Sequence, residues 1–171
     1  GEILVSAGGG EVGDPLFHAA CLAARQTPGL RWRVLVGGPN PEERLTRLRS
    51  TAPDTVIVEP VRPDFREMLH HAACSVSMAG YNTALDVLQT GVPALLVPFD
   101  DGGEVEQTLR ASSLAHLPGI ETLRSADVTP ERLAQAVWRL SGQHRRPTQE
   151  IATSGAQRSL EIATELRRAR Q

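Results

Sequence analysis

Short apolar runs alternate with longer amphipathic stretches along this chain. Residues 3–7, 32–36, 55–59, 74–78 and 94–97 are rich in Val, Ile and Leu and are bounded by Gly, Pro or Asp. They read as buried strands, with 120–123 as a sixth. Between them the apolar residues fall three and four apart. Leu16, Ala20, Cys21 and Ala24 share one helix face; Asp14 is the expected N-cap, Pro15 the first helical residue, and Thr27-Pro28-Gly29 the stop. Asn40-Pro41 repeats that start, with Glu42 and Glu43 in the first turn. Asp64 and Glu67 suggest a variant capping box before Met68 and Leu69. Residues 83–90 predict a helix closed by Gly91, and 104–115 another. Thr129-Pro130 opens a helix running to about Leu140. The last segment, 148–169, carries Ile151, Leu160, Ile162, Ala163 and Leu166 at helical spacing, and His144-Arg145-Arg146-Pro147 before it is the only linker-like stretch.

Strands that alternate with helices need crossover connections. The expected fold class is therefore α/β: a Rossmann-like three-layer α/β/α domain whose mostly parallel sheet, of about six strands, is covered on both faces. No internal repeat or compositional break divides residues 1–171, which read as one domain. Ligands of such sheets bind beyond the carboxyl ends of the strands. That rule directs attention to 8–13, 37–40, 60–64, 79–83 and 98–107.

Composition adjusts this picture only at its edges. The 171 residues are 40% hydrophobic and 22% charged, and the net charge of −2 gives no overall pull toward nucleic acid. Cys21 and Cys74 both stand in apolar context, so buried free thiols are expected rather than a disulfide framework, which suits the cytoplasm. His70, His71 and Cys74 form an H-H-x-x-C cluster, but adjacent histidines on a helix diverge and no second ligand pair follows; no metal is expected. There is no signal-peptide pattern and no apolar run of membrane-spanning length. The chain opens at Gly1-Glu2-Ile3 without a methionine and enters a strand at once, which suggests a domain excised from a longer protein.

Four post-strand loops carry candidate chemistry. Gly8-Gly9-Gly10-Glu11-Val12-Gly13 matches G-x-G-x-x-G, a dinucleotide signature. The second strand, however, ends in Val36-Gly37-Gly38-Pro39-Asn40 with no acid for a ribose, and a capping Asp14 would occupy the helix amides. The plain alternative is a tight turn. Ala79-Gly80-Tyr81-Asn82-Thr83 stands at a strand-to-helix junction, where free amides can hold phosphate oxygens and Asn82 or Thr83 can add a hydrogen bond. Asp86, one turn on, can accept from two ribose hydroxyls or be merely a helix-start charge. Residues 98–107 form a polar loop ending in Glu106 and Gln107, suited to sugar hydroxyls or to helix capping. Val61, between Pro60 and Pro63, lies in a stiff loop that can face a flat base or simply connect two elements.

Together these pieces resemble the C-terminal domain of MurG-type glycosyltransferases, glycosyltransferase family twenty-eight, from about residue 3 to 140. Gly80-x-x-Thr83-x-x-Asp86 resembles the family's Gly-x-x-Thr-x-x-Glu, and Gly91-Val92-Pro93 and Leu96-Val97-Pro98 resemble its Gly-x-Pro and strand-ending proline. Glu106-Gln107-x-x-Arg110-Ala111 resembles its paired glutamines followed by Asn-Ala, and Ala7-Gly8-Gly9-Gly10 its Gly-Gly-Ser turn. The resemblance implies a GT-B enzyme of two Rossmann-like domains, inverting, with no tightly bound metal and no cofactor beyond its nucleotide-sugar co-substrate, most often a UDP-sugar. It implies that Val61 meets the base through its main chain, Asp86 holds the ribose, the turn from Ala79 through Thr83 faces the diphosphate, and Glu106 with Gln107 contacts the sugar. Gly8, Gly9 and Gly10 would face the diphosphate and the interdomain cleft. The departures are Asp86 for Glu, Glu106 for Gln, Gly10 for Ser and Arg110 for Asn. The acceptor site and general base would belong to an N-terminal domain, in cis or on a partner subunit; no catalytic residue is assigned here. Rival readings are a nucleotide-sugar hydrolase or epimerase half, a dinucleotide-binding module on Gly8–Gly13, and a degenerate domain kept for protein contacts.

Overall fold

The apolar runs become six strands: β1 (Ile3–Ser6), β2 (Trp32–Val36), β3 (Val56–Pro60), β4 (Cys74–Ser77), β5 (Ala94–Leu96) and β6 (Ile120–Thr122). In the computed structural model they form one sheet, ordered β3-β2-β1-β4-β5-β6, with every neighbouring pair parallel. The structure describes residues 1–8, 12–100 and 105–147. Gly9, Gly10 and the helix expected over 148–169 lie outside the described residues.

Among the described residues six α-helices connect and cover the strands: α1 (Asp14–Ala24), α2 (Glu42–Thr51), α3 (Phe65–His71), α4 (Tyr81–Thr90), α5 (Glu106–Leu114) and α6 (Pro130–Ser141). Alternation along each strand decides which face meets which helices. Ile3, Val5, Val34, Val76 and Leu95 pack with Leu16 and Phe17 of α1, Leu45 of α2 and Leu133 and Val137 of α6. Leu4, Ala94 and Leu96 meet Leu69 of α3, Val87 of α4 and Ala111 of α5. Trp32 is fully buried, and its indole N–H finds Thr27 Oγ1 at 3.0 Å, just past the end of α1. A buried indole needs such an acceptor. Among the described residues no helix is long and apolar enough to cross a membrane.

Coverage is incomplete at one place. In register with Leu4 on the second face stand Arg33 of β2 and Ile57 of β3. Ile57 is 43% exposed, and in place of a helix stripe Arg33 donates to Glu2 at 2.7 Å and to Glu59 at 2.9 Å. Both faces carry helices as expected, but among the described residues no helix stripe lies over this part of β2 and β3, where an ion-pair network stands instead.

The expected starts of α1 and α2 each shift by one residue, and Asp64, though the N-cap of α3, makes no side-chain cap. The N-cap of α1 is Gly13, and Asp14 is the first helical residue. Its carboxylate turns from the helix amides to Arg44 and Arg47, each at 2.7 Å. Asn40 stands at φ 49°, and Pro41, without a side-chain bond, caps α2. The capping box at Asp64 does not form: Asp64 pairs with Arg62 at 2.6 Å, and Glu67 meets His71 at 3.1 Å. Thr129 does cap α6, accepting from the Arg132 amide at 3.2 Å, and Gly91 closes α4 in the left-handed region at φ 67°.

Residues 143–147 are no linker. After α6 the chain crosses the ends of α3 and α4, where backbone carbonyls lack helical partners. Arg145 donates to the carbonyls of Leu69, Ala72 and Thr90. Arg146 donates to those of Pro118 at 3.0 Å, Val87 at 3.2 Å and Val92 at 2.9 Å, while its amide bonds the Gly91 carbonyl at 2.9 Å. Burial lowers both guanidinium pKa values, and no carboxylate offsets it. A Cβ on Gly91 would overlap the Arg146 carbonyl, so this position needs glycine for space as well as for φ.

Replacing Arg146 with Ala removes its bonds to three carbonyls, of which Val87 keeps the Gly91 amide, and stability in urea denaturation should fall by about 2–3 kcal/mol. The Glu2 carboxyl is held below its ordinary range by its hydrogen bond to Arg33. A depressed folded-state pKa contributes stability above the unfolded pKa and loses it as pH falls through the folded one. The urea midpoint of the unaltered chain should therefore exceed that of E2Q near neutrality, with the gap closing below about pH 4.

Candidate functional site

The strand order reverses between β1 and β4: the chain builds outward from β1 to β3, then returns to lay β4 on the other side of β1. The loops leaving these two strands diverge toward opposite faces, opening a crevice at the carboxyl edge. A cleft of about 620 Å³ lies there, lined by Val12, Leu16, Met78, Phe99, Asp100 and Ser125 among others. It joins the glycine turn after β1 to the loops after β4 and β5. Ser125 Oγ donates to the Pro98 carbonyl at 3.0 Å and also contacts Asp100, fixing one wall.

On the other side of the crevice α4 begins earlier than the sequence suggests, at Tyr81. Its N-cap is Gly80, and among the described residues no side chain caps its first amides. Gly80 is extended (φ −60°, ψ 151°), and a Cβ there would meet none of the described atoms within 4 Å. Among the described residues the space above the junction is therefore open. Asn82 is exposed, Thr83 half-buried, and Ala79 wholly buried behind them. Ser6 and Ser77, register partners at the ends of β1 and β4, are buried with hydroxyls that find no partner among the described residues. Sequence reading passed over both, since isolated strand serines carry no motif.

The remaining candidates divide. Gly8, early in the loop after β1, stands at φ 69°, with none of the described atoms within 4 Å of an added Cβ. Gly13 is there for packing: a Cβ would overlap that of Ala7 and crowd the Phe17 ring. Val61 is 53% exposed, but its amide is committed to the Val36 carbonyl at 3.0 Å, so that donor is not offered to a base. Asp86 lies in the second turn of α4, and so is not a first-turn charge; Arg66 of α3 bonds its Oδ1 at 2.7 Å. Gln107 Oε1 accepts from the Phe99 amide at 3.1 Å, tying α5 to the loop after β5.

Arg110 is central to this side. It donates to the Ala79 carbonyl at 2.7 Å, pairs with Glu106 one turn earlier, and lies 5.7 Å from the Tyr81 ring centroid. It thus draws two expected segments, 79–81 and 106–107, together. Tyr81, Val105 and Leu109 are exposed around it. Behind the glycine turn, Arg44 donates to the Gly37 carbonyl at 2.7 Å, at the end of β2.

The H-H-x-x-C cluster disperses: His70 and His71 are exposed, whereas Cys74 is fully buried in the sheet, its thiol pKa pushed up by desolvation. Among the described residues no three of His, Cys, Asp and Glu group as metal ligands would.

Comparison with known proteins fits this geometry. The model of the glycosyltransferase family 28 C-terminal domain matches residues 18–166. The UDP-N-acetylglucosamine–N-acetylmuramyl-(pentapeptide) pyrophosphoryl-undecaprenol N-acetylglucosamine transferase of Brucella anthropi is 30% identical over 132 residues, 74% of this chain and 35% of that protein. Among solved structures, MurG of Acinetobacter baumannii superposes with a TM-score of 0.68 at 22% identity, over 96% of this chain and 49% of its own. The calicheamicin glycosyltransferase CalG4 gives 0.63 at 26%, over 82% of this chain and 34% of its own. The chain thus spans between a third and a half of each of these proteins. With its three-layer sheet and its post-strand loops in the family's order, the chain belongs to the glycosyltransferase family 28 C-terminal domains.

Proposed function

We propose that this chain is the donor-binding domain of an inverting GT-B glycosyltransferase and that its ligand is a nucleoside-diphosphate sugar, a UDP-sugar first among them. The observation that carries this reading is the open, uncapped start of α4 at the crevice, with Asp86 one turn further along the same helix. Free helix-start amides and the positive end of the helix dipole suit a diphosphate. A carboxylate just beyond suits ribose hydroxyls. The Brucella relative, whose name specifies a UDP-sugar donor, supports the choice of nucleotide.

In this mechanism an acceptor hydroxyl attacks the anomeric carbon, a new C–O bond forms, and the bond to the diphosphate breaks with inversion. Negative charge grows on the leaving nucleoside diphosphate, where amides of Tyr81, Asn82 and Thr83 can stabilise it. Glu106 and Gln107 stand at the start of α5, on the side where the sugar would project. The base that takes the acceptor's proton belongs, in this proposal, to a second domain in cis or on a partner subunit, and the 171-residue chain alone transfers no sugar.

One observation favours a second reading. Because Asp14 turns away to its arginines, α1 begins without a side-chain cap behind the glycine turn, as a dinucleotide site requires. Against it, the end of β2 offers a glycine carbonyl already held by Arg44 where such a site needs an acid.

Calorimetric titration with UDP, GDP, dTDP and NADH separates these readings. UDP binding is expected; binding of NADH alone would move the site to the glycine turn, and no binding of any of the four at millimolar concentration would sink the donor reading. Asp86→Ala should weaken UDP by about 1–3 kcal/mol. Gly80→Val provides a test from the opposite direction. The backbone there is ordinary and the space empty, so the variant should melt as the unaltered chain does while losing UDP affinity at least tenfold, about 1.4 kcal/mol.

A further inference from the structure

Arg66 belongs to no motif. It lies in the first turn of α3, directly after the loop of Val61 and Asp64, and reaches across to α4. Its Nε donates to Asp86 Oδ1 at 2.7 Å, and its Nη2 lies at ion-pair distance, 2.7 Å, from the same oxygen. The Asp86 side chain is 16% exposed and that of Arg66 57%. The carboxylate is thus held from one side, with Oδ1 taking a charge-assisted bond and the ion-pair contact, while part of the guanidinium faces solvent at the carboxyl edge of the sheet.

This arrangement changes how a ribose can be held. A carboxylate with both oxygens available accepts from two neighbouring hydroxyls at once. Asp86 has one oxygen taken, and it is a methylene shorter than the glutamate the resemblance implies. A hydroxyl, however, accepts as well as donates, and a guanidinium carries five N–H groups, of which the Nε–H is committed to Asp86. We propose that Arg66 and Asp86 grip the donor's ribose as one unit: Asp86 Oδ2 accepts from one hydroxyl, and an outward N–H of Arg66 donates to the oxygen of the other. Arg66 is then a specificity-determining residue, placed between the base loop and the helix that faces the diphosphate. The inference rests on the nucleotide-sugar reading above and assigns it a recognition element that an ordinary surface ion pair would not supply.

The test is titration of the full chain and of R66Q, D86N and the double variant with UDP, 2′-deoxy-UDP and 3′-deoxy-UDP, with thermal melting to establish that each variant folds. The unaltered chain should prefer UDP over each deoxy analogue by roughly fivefold to tenfold, the effect of about one hydrogen bond. R66Q should bind UDP more weakly and lose its preference against one analogue while keeping it against the other. The double variant should be no weaker than D86N, since the two residues act together. Wild-type preference ratios in R66Q, with UDP still bound by the unaltered chain, would overturn the ribose role and leave the donor site standing. Fully additive losses in the double variant would do the same. Failure of the unaltered chain to bind UDP would overturn the donor reading, and this inference with it.

Discussion

The reversal of strand order between β1 and β4 is the constraint on which the rest depends. In an all-parallel sheet every connection must cross over, and a chain that first builds outward on one side of β1 has to start again on the other. Its loops then leave β1 and β4 toward opposite faces. α1 packs with the layer built on Phe17 and Leu133, and α4 with the layer built on Leu69 and Val87. Ser6 and Ser77 end up side by side where the two loops part. No single motif makes this crevice; it is the gap that remains when six short apolar strands satisfy their backbones in this order.

Guanidinium groups hold the edges of that frame. The sequence contains no lysine, so all 18 of its formal side-chain cations are arginines. The difference matters because a planar fork can bond two partners at fixed geometry, whereas an ammonium acts as a point charge. Arg44 joins α2 to the start of α1 and to the loop after β2, and Arg33 spans the uncovered side of β1, β2 and β3. Arg145 and Arg146 close the amino edge by taking carbonyls from two helix ends. A small domain with few aromatic residues to fill space uses directed bonds at its periphery instead.

That division explains what was legible in the sequence. The strands were, because burial on both sides leaves a continuous apolar run such as Leu35-Val36 or Leu95-Leu96, which no distant contact alters. The closing Gly91 and the capping Thr129 were also readable, because each acts within a few residues of itself. The start of α1 and the missing side-chain cap at Asp64 were not. Asp14 and Asp64 have the chemistry of caps, but Arg44 and Arg62 compete for them, and a charged, two-pronged donor outcompetes a backbone amide. The partnership of Arg44 with Asp14 spans 30 positions and that of Arg66 with Asp86 spans 20; no local pattern announces either. The 143–147 stretch looked like a linker for the same reason: its two arginines find partners only after the helices they close have formed.

The departures from the family pattern look independent in sequence but fall into pairs in space. Glu106 and Arg110 stand where the resemblance implies a glutamine and an asparagine, and they face each other one turn apart on α5. Two neutral hydrogen-bonding groups have been exchanged for an ion pair of zero net charge, with the guanidinium also fastened to the Ala79 carbonyl. The shortened Asp86 is likewise matched by Arg66, which supplies reach and charge from a neighbouring helix. A site drifting after loss of function would change residues one at a time and leave charges uncompensated beside a helix start. In the proposed donor site, such paired departures keep charge balanced beside the helix start while changing the groups offered to the ligand.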